Sequence, residues 1–257
     1  MKERAPPIAE TPDPQDRTPA TRKAGGKSAD TRARILEAAT TLFARRGVAK
    51  TTLREITALA GVNMAAVNYH FGSKEVLANA VFAAVSARAN GWRRDRIAEC
   101  LDRATASGTR PDLGELIDIF LHPYLDRAEP SASMLLVHLV MLHRVDPTPW
   151  THKVIAENYD ELATDFVAAL RLALPGLSGQ ELWWRYYFLP GTVIFALTEA
   201  RGSERLRRLS GGGCDIGDWP ELKRQLRATL VNAFAGPHRA GPEAGGSGAA
   251  ARSAERS

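Results

Sequence analysis

The sequence has little cysteine, and its two cysteines lie far apart. Cys100 and Cys214 form neither a disulfide framework nor the paired spacing of a zinc or redox motif. No apolar run approaches the ~18 residues that a membrane-spanning helix needs, and the first residues lack the apolar core of a signal peptide. We therefore expect a reduced, cytoplasmic protein with no membrane partner.

The sequence also lacks the motifs that mark most enzymes. It has no phosphate-binding loop and no nucleophile motif, so we expect no catalytic residue and no enzymatic activity. His138, His143 and His152 invite comparison with metal ligands, but they form no pair at i,i+4 with a third partner. We therefore expect no metal and no cofactor.

Charge is unevenly spread along the chain. Lys and Arg outnumber Asp and Glu by eight over residues 1–110, and they fall short by four over residues 111–235. A basic front half is typical of a protein with a polyanionic partner, although an arginine-rich surface that is merely solvated gives the same pattern.

Helical periodicity fills the chain between two ends of low apolar content. Residues 1–29 and 236–257 are rich in Pro, Gly, Ala, Ser and charged residues, so we expect a disordered arm and a disordered tail. Between them no convincing strand is found, which predicts an all-α fold. The first helix should open at Asp30 and end at Gly47, and Pro190 should kink or break a late helix.

Residues 52–70 are typical of a helix-turn-helix, with Gly61 permitting the turn. Thr52 and Glu55 have the spacing of a capping box. We expect Leu59 to lie on the inner face of the first helix of this motif, and Val76 to lie on the inner face of the helix that follows it. The second helix of such a motif enters the DNA major groove, where small residues allow close approach.

The motif predicts contacts with double-stranded DNA of two kinds. Small or polar residues at the start of the second helix face base edges, whereas hydroxyl, imidazole and amine groups around it bind phosphate. The predicted DNA-binding residues are Thr51, Thr52, Asn63, Met64, Ala65, Asn68, Tyr69, His70 and Lys74. The carboxamide of Asn68 either reads adenine or touches phosphate and water. Tyr69 as a core aromatic, His70 as a helix cap and Lys74 as a solvated lysine are the structural alternatives.

The blocks ILEAATTLFARRG, TTLREITALAGV and NYHFGSKEVL resemble the DNA-binding domain of the TetR/AcrR family of bacterial repressors. The succession Tyr69-His70-Phe71 followed by Lys74 carries most of the resemblance. Asn68 departs from it, because many members have an aromatic residue there. The resemblance implies an N-terminal three-helix DNA-binding domain over residues 30–76 and a C-terminal helical ligand-binding and dimerisation domain over residues 77–235.

The resemblance also implies a homodimer whose last two long helices form a four-helix bundle, and a small-molecule effector. ELWWRYYFLPG is similar to a segment of fatty-acid-responsive members, so an acyl chain or acyl-CoA is the effector considered. The candidate lining of the ligand pocket is Phe120, Tyr124, Met134, His138, Met141, Phe166, Tyr187 and Phe195. The implied function is a ligand-released repressor of a near-palindromic operator. The alternative is a helical small-molecule or lipid-binding protein, or an enzyme, without DNA binding.

Overall fold

A computed structural model describes residues 19–128, 130–199 and 204–236, and within these ranges it contains helices and no strand. The prediction of an all-α fold is therefore confirmed. The helices are α1 (Pro19–Arg46), α2 (Leu53–Ala60), α3 (Met64–Phe71), α4 (Lys74–Ser107), α5 (Leu113–Leu125), α6 (Pro130–Val145), α7 (Pro149–Ala173), α8 (Gly179–Glu199), α9 (Arg205–Leu209) and α10 (Trp219–Ala235). None of these helices combines the length and apolar character needed to cross a membrane.

The first helix is longer than its sequence pattern predicts. It begins at Pro19 rather than at Asp30, so residues 19–29 of the expected disordered arm are helical. Proline suits the first position of a helix, because its φ is fixed near the helical value and its missing N–H has no partner there anyway. The rest of the predicted arm, and the predicted tail after residue 236, lie outside the described residues.

The described residues divide into two compact units. The first contains the described residues up to Arg96 together with Leu121–Ala163, and the second contains Ile97–Phe120 together with the described residues from Thr164 onward. Helices α4, α5 and α7 contribute to both units. The predicted domain boundary at residue 76 stays a prediction.

Within the first unit, α1, α2 and α3 share one apolar core. Ile35 and Phe43 of α1, Ile56 of α2 and Val67 of α3 are fully buried. Phe71, at the end of α3, is nearly buried as well, and the guanidinium of Arg32 lies 5.2 Å from the centroid of its ring. Burying these large side chains is worth roughly 1.5–3 kcal/mol each, which fixes the orientation of the short helix α3.

A polar seam joins α4 to α7 within the first unit. The hydroxyls of Ser86 and Tyr159 are 2.9 Å apart, and Nδ2 of Asn90 donates to the backbone carbonyl of Asn158. Ser86 and Asn90 are both fully buried. Unpaired buried polar groups cost roughly 1–3 kcal/mol, so these contacts fix the register of α4 against α7.

In the second unit, α8 runs through Pro190 without a break, so the predicted break does not occur and the alternative of a kink stays a prediction. The guanidinium of Arg185 donates to the carbonyl of Ala233 (3.0 Å), which ties α8 to the end of α10. After α8 the described residues contain a further short helix, α9, which starts at Arg205.

Candidate nucleic-acid interface

Helix α2 is built by interactions that can be read from its sequence. The Thr52 hydroxyl accepts from the N–H of Glu55, and the Glu55 carboxylate accepts from the N–H of Thr52 at 2.8 Å. The N–H and the hydroxyl of Thr52 both donate to the Glu55 carboxylate, and with the ion pair to Arg46 (2.9 Å) they lower the pKa of Glu55. This capping box is confirmed, and it fixes where the helix-turn-helix begins.

The turn between α2 and α3 depends on Gly61 for its backbone conformation. The φ of Gly61 is +63°, a conformation that residues other than glycine rarely adopt. The Arg34 guanidinium donates to the carbonyls of Ala60 (2.5 Å) and Gly61 (3.0 Å). Arg34 therefore holds α1 to the end of α2 through unsatisfied carbonyls at a helix C-terminus.

Helix α3 exposes one continuous face. Asn63 caps it, since its Oδ1 accepts from the N–H of Ala66 at 2.9 Å. The buried side chains of Val67 and Phe71 point to the core. Residues at positions i, i+1, i+4 and i+5 of the helix are exposed, and we call them the α3 face: Met64, Ala65, Asn68 and Tyr69.

Tyr69 lies on this face with 82% of its surface exposed. It is therefore not a core aromatic. Its ring meets the half-buried ring of His70 edge to face, with centroids 5.1 Å apart. The phenol thus stands in solvent, where its hydroxyl can reach a phosphate oxygen.

Three predicted contact residues have roles within the protein. Thr51 is fully buried, and its hydroxyl donates to the carbonyl of Gly47 at 2.9 Å. The Thr52 hydroxyl is held in the capping box. The Lys74 ammonium donates to the carbonyls of Thr51 (2.7 Å) and Ala49 (3.3 Å). Thr51 and Lys74 therefore hold the turn between α1 and α2, and their predicted contacts with DNA stay predictions.

Sequence reasoning passed over other cations near the interface. Arg45, Lys50 and Arg54 are exposed at the end of α1, in the following turn and on α2. Their density within ten residues was a usable signal, because three cations beside a helix-turn-helix supply phosphate contacts.

Farther along the first unit, α4, α5 and α6 line a cavity of about 190 Å³. The ring of Trp92 meets that of His122 edge to face, with centroids 4.0 Å apart. Asp126 accepts from the N–H of Ala128 at 2.8 Å, and its carbonyl accepts from the Ser133 hydroxyl at 3.0 Å. The lining that matters for binding chemistry is Arg88, Trp92, His122, Asp126, Ser133 and Leu136.

None of the eight residues predicted to line a ligand pocket lines this cavity. Phe120, Tyr124 and Phe166 are buried in the packing of the helices, and Met134 and His138 are half-buried. The other three residues, Met141, Tyr187 and Phe195, are exposed. Phe195 is the most exposed of them, with 73% of its surface accessible to solvent. The prediction placed these three in a pocket because large apolar side chains are usually covered by their own chain.

Helix α8 carries an uncovered aromatic surface. Trp184 stacks on Phe188, with centroids 6.0 Å apart and planes inclined by 21°. Gly191 lies on the same side of the helix, and an added Cβ there would meet no atom of the described residues within 4 Å. We call this row, spaced by three and four residues, the α8 stripe: Trp184, Tyr187, Phe188, Gly191 and Phe195.

Two family models match the chain over successive segments. The model of bacterial regulatory proteins of the tetR family matches residues 35–81. The model of the tetracyclin repressor-like C-terminal domain matches residues 118–245. The first match contains all of α2 and α3, and therefore the whole α3 face.

Curated relatives match over shorter stretches. The HTH-type transcriptional regulator TtgR of Pseudomonas putida is 45% identical over 60 residues, which are 23% of this chain and 29% of that protein. The HTH-type transcriptional repressor KstR2 of Rhodococcus jostii is 36% identical over 109 residues, 42% of this chain and 50% of that protein. The chain thus spans at most half the length of these two relatives.

Solved structures match 80% of the chain at lower identity. A protein of Mesorhizobium loti that is assigned to the TetR family superposes with a TM-score of 0.54 and 20% identity, covering 80% of this chain and 96% of that one. Salmonella enterica GusR superposes with a TM-score of 0.53 and 17% identity, covering 80% and 95%. These likenesses concern the fold.

Proposed function

Because this chain belongs to the TetR family of bacterial regulatory proteins, we propose that it is a dimeric transcriptional repressor that a small molecule releases from DNA. Its site of action on this proposal is chromosomal DNA in the cytoplasm. Members of the family are regulators, so the chain is not an enzyme. The proposal has three parts, which concern DNA, the second subunit and the effector.

The α3 face carries the proposal of DNA binding. A recognition helix must approach base edges closely, and here Ala65 at the start of α3 leaves the backbone uncovered. Asn68 and Tyr69 extend polar groups from the same face. Arg45, Lys50 and Arg54 supply positive charge outside α3, so phosphate binding does not depend on the cations that are paired within the protein.

The α8 stripe supports the proposal of a homodimer. Four aromatic rings on one face of a helix are costly to leave in water, and a second copy of the same helix covers them symmetrically. Gly191 in the middle of the stripe permits the two backbones to approach. Two recognition helices then reach successive major grooves about 34–36 Å apart, which requires a near-palindromic operator.

The cavity supports the proposal of an effector site. Its volume of about 190 Å³ is below the ~300–1,000 Å³ of pockets for drug-sized ligands, so it holds a small molecule or the apolar part of a larger one. A short acyl chain remains a candidate, whereas the nucleotide of acyl-CoA has no room there. The polar groups of Arg88, His122 and Asp126 would orient the ligand.

Helix α4 links the effector site to the DNA-binding helices. It starts at Lys74, directly after α3, and it carries Arg88 and Trp92 of the cavity in the same unit. A ligand releases DNA only by binding more tightly to the state in which the recognition helices no longer fit the operator. We propose that α4 transmits this difference.

Binding to DNA selected from random fragments, and to the DNA flanking its own gene, tests the proposal. We expect nanomolar, salt-sensitive binding of a dimer to a near-palindrome, and release by a compound that fits the cavity. The matched control is Leu136→Trp, which fills the cavity and should abolish release without changing operator affinity. Absence of salt-sensitive binding to any duplex would contradict the proposal.

A further inference from the structure

The α3 face contains no charged side chain. Every residue of α3 is described, and the exposed ones are Met64 (40% exposed), Ala65, Asn68 and Tyr69 (82% exposed). On the premise of the proposed function, we propose that each operator half-site places A·T pairs where this face covers the major groove. Thymine methyls lie against Met64 and Ala65, and an adenine edge pairs with Asn68.

The absence of charge excludes the usual readers of G·C pairs from this face. Guanine is read mainly by Arg or Lys, which donate to its O6 and N7, and the cytosine amino group is read by Asp or Glu. The nearby cations are not on this face. Arg45, Lys50 and Arg54 lie outside α3, where the proposed function gives them phosphate contacts. Arg34 is held by the carbonyls of Ala60 and Gly61, and Arg46 is paired with Glu55.

What the face does offer matches adenine and thymine. The Asn68 side chain is exposed, and its carboxamide makes no hydrogen bond to the described residues, so it can donate to adenine N7 and accept from N6. Met64 and Ala65 present apolar surface at the start of the helix, where base edges come nearest. The only major-groove group that rewards such surface is the thymine methyl.

Tyr69 has a different role on the same face. It is the most exposed of the four, it stands at the C-terminal end of α3, and its ring rests against His70. A phenol hydroxyl at that end contacts phosphate, which sets the register of the helix without reading a base. Met64, Ala65 and Asn68 are therefore the residues that select sequence.

Base analogues test the inference once an operator has been selected. Replacing single thymines by deoxyuridine removes one methyl, and we expect about four-fold weaker binding at one or two positions per half-site, the weight of a buried methyl. Replacing adenine by 7-deazaadenine removes N7, and we expect about ten-fold weaker binding at one position. The same replacements elsewhere in the operator serve as the control.

Two variants assign each effect to its residue. In Met64→Ala the deoxyuridine penalty should shrink at one thymine, and in Asn68→Ala the 7-deazaadenine penalty should vanish. Both side chains are exposed, so unchanged thermal unfolding will show that the variants are folded. Arg54→Ala is the matched control, which should weaken all operators equally and leave both analogue penalties intact.

Three results would decide against the inference. Selected half-sites with invariant G·C pairs at the covered positions would overturn it and leave the proposed function standing. Analogue penalties that persist unchanged in Met64→Ala and Asn68→Ala would do the same. Failure of the protein to bind any duplex would instead overturn the proposed function, and this inference with it.

Discussion

Helices α3 and α8 each leave one face uncovered, and the two faces are chemically opposite. The α3 face consists of small, neutral or amphipathic side chains, whereas the α8 stripe is four aromatic rings around one glycine. A duplex surface is hydrated and charged, so a helix that enters its groove gains by close approach and by hydrogen bonds. Another protein surface rewards apolar area instead.

The two helices also differ in their caps and in their proline content. Helix α3 is short and is capped by Asn63, so its start is precisely placed. Helix α8 is longer and contains Pro190, which removes one backbone hydrogen bond beside the stripe. Placement of a few atoms matters in a groove, while continuous area matters in a helix pair.

The largest expected effect comes from placing a charge on the α8 stripe, which tests whether this face is a protein contact. In Phe188→Glu the carboxylate would be buried between two subunits, and we expect dimerisation to weaken more than ~100-fold, as for a central interface residue. Operator affinity should fall together with dimerisation, because a single subunit would bind only one half-site. Sedimentation equilibrium and operator titration measure the two effects.

Leu172→Glu is the control for this change. Leu172 is also exposed, by 56%, but it lies on α7 outside the stripe. Its charged variant should dimerise normally. If both variants dimerise like the parent protein, the stripe is not the dimer contact and the comparison fails.

The next effect concerns the opposite face. Tyr69→Ala should weaken operator binding about ten-fold, because the variant loses roughly one hydrogen bond to a charged phosphate and the positioning that this bond provides. Dimerisation and thermal stability should not change, because the side chain is mostly in solvent. Tyr69→Phe isolates the hydroxyl, and full affinity in that variant would show that the ring alone contributes.

A smaller effect separates folding of the DNA-binding helices from contact with DNA. Lys74→Met removes the donor to the carbonyls of Thr51 and Ala49, and we expect a loss of about 1 kcal/mol in the free energy of unfolding. The slope of log affinity against log salt should change by less than one phosphate contact. If this slope changed by about one phosphate contact while the free energy of unfolding stayed the same, Lys74 would be a phosphate contact instead.

The smallest expected effect is a pH dependence of stability that involves neither the α3 face nor the α8 stripe. Burial, the neighbouring ring of His152 with its centroid 4.8 Å away, and Arg144 lower the pKa of His143 from its ordinary value near 6.5. The unfolded chain therefore binds a proton first, so stability should fall as pH drops through about 6.5 toward the lowered pKa. His143→Gln should reduce this acid sensitivity in urea unfolding at about pH 7.5 and 5.5. An unchanged difference would mean that other groups cause it.

Local features of the fold were predictable from the sequence, because they depend on residues three or four positions apart. The capping box of Thr52 and Glu55 and the turn at Gly61 are where the pattern places them. The prediction failed where the partner surface decides. Leu59 and Val76 were expected inside and are more than half exposed, since a short apolar stripe does not tell which flank meets the core.

The candidate sites show the same limit. The pattern marked the α3 face residue by residue, because exposure on so short a helix follows from its two buried positions, Val67 and Phe71. It did not reveal that Thr51 and Lys74 serve the preceding turn, or that Tyr187 and Phe195 are uncovered. The Lys74 contacts join residues more than twenty positions apart, and the exposure of Tyr187 and Phe195 depends on how distant helices pack.

On the proposed function, the seam between α4 and α7 would limit how α4 can respond to an effector. The pairs Ser86–Tyr159 and Asn90–Asn158 join buried groups of α4 directly to α7, so a small slide of α4 along α7 would strand several polar groups at once. Helix α4 is therefore expected to occupy a few discrete positions along α7 rather than to shift continuously. If the protein is a ligand-released repressor as proposed, the response within one subunit should be all-or-none, and a graded output of its promoter would arise from the fraction of molecules switched.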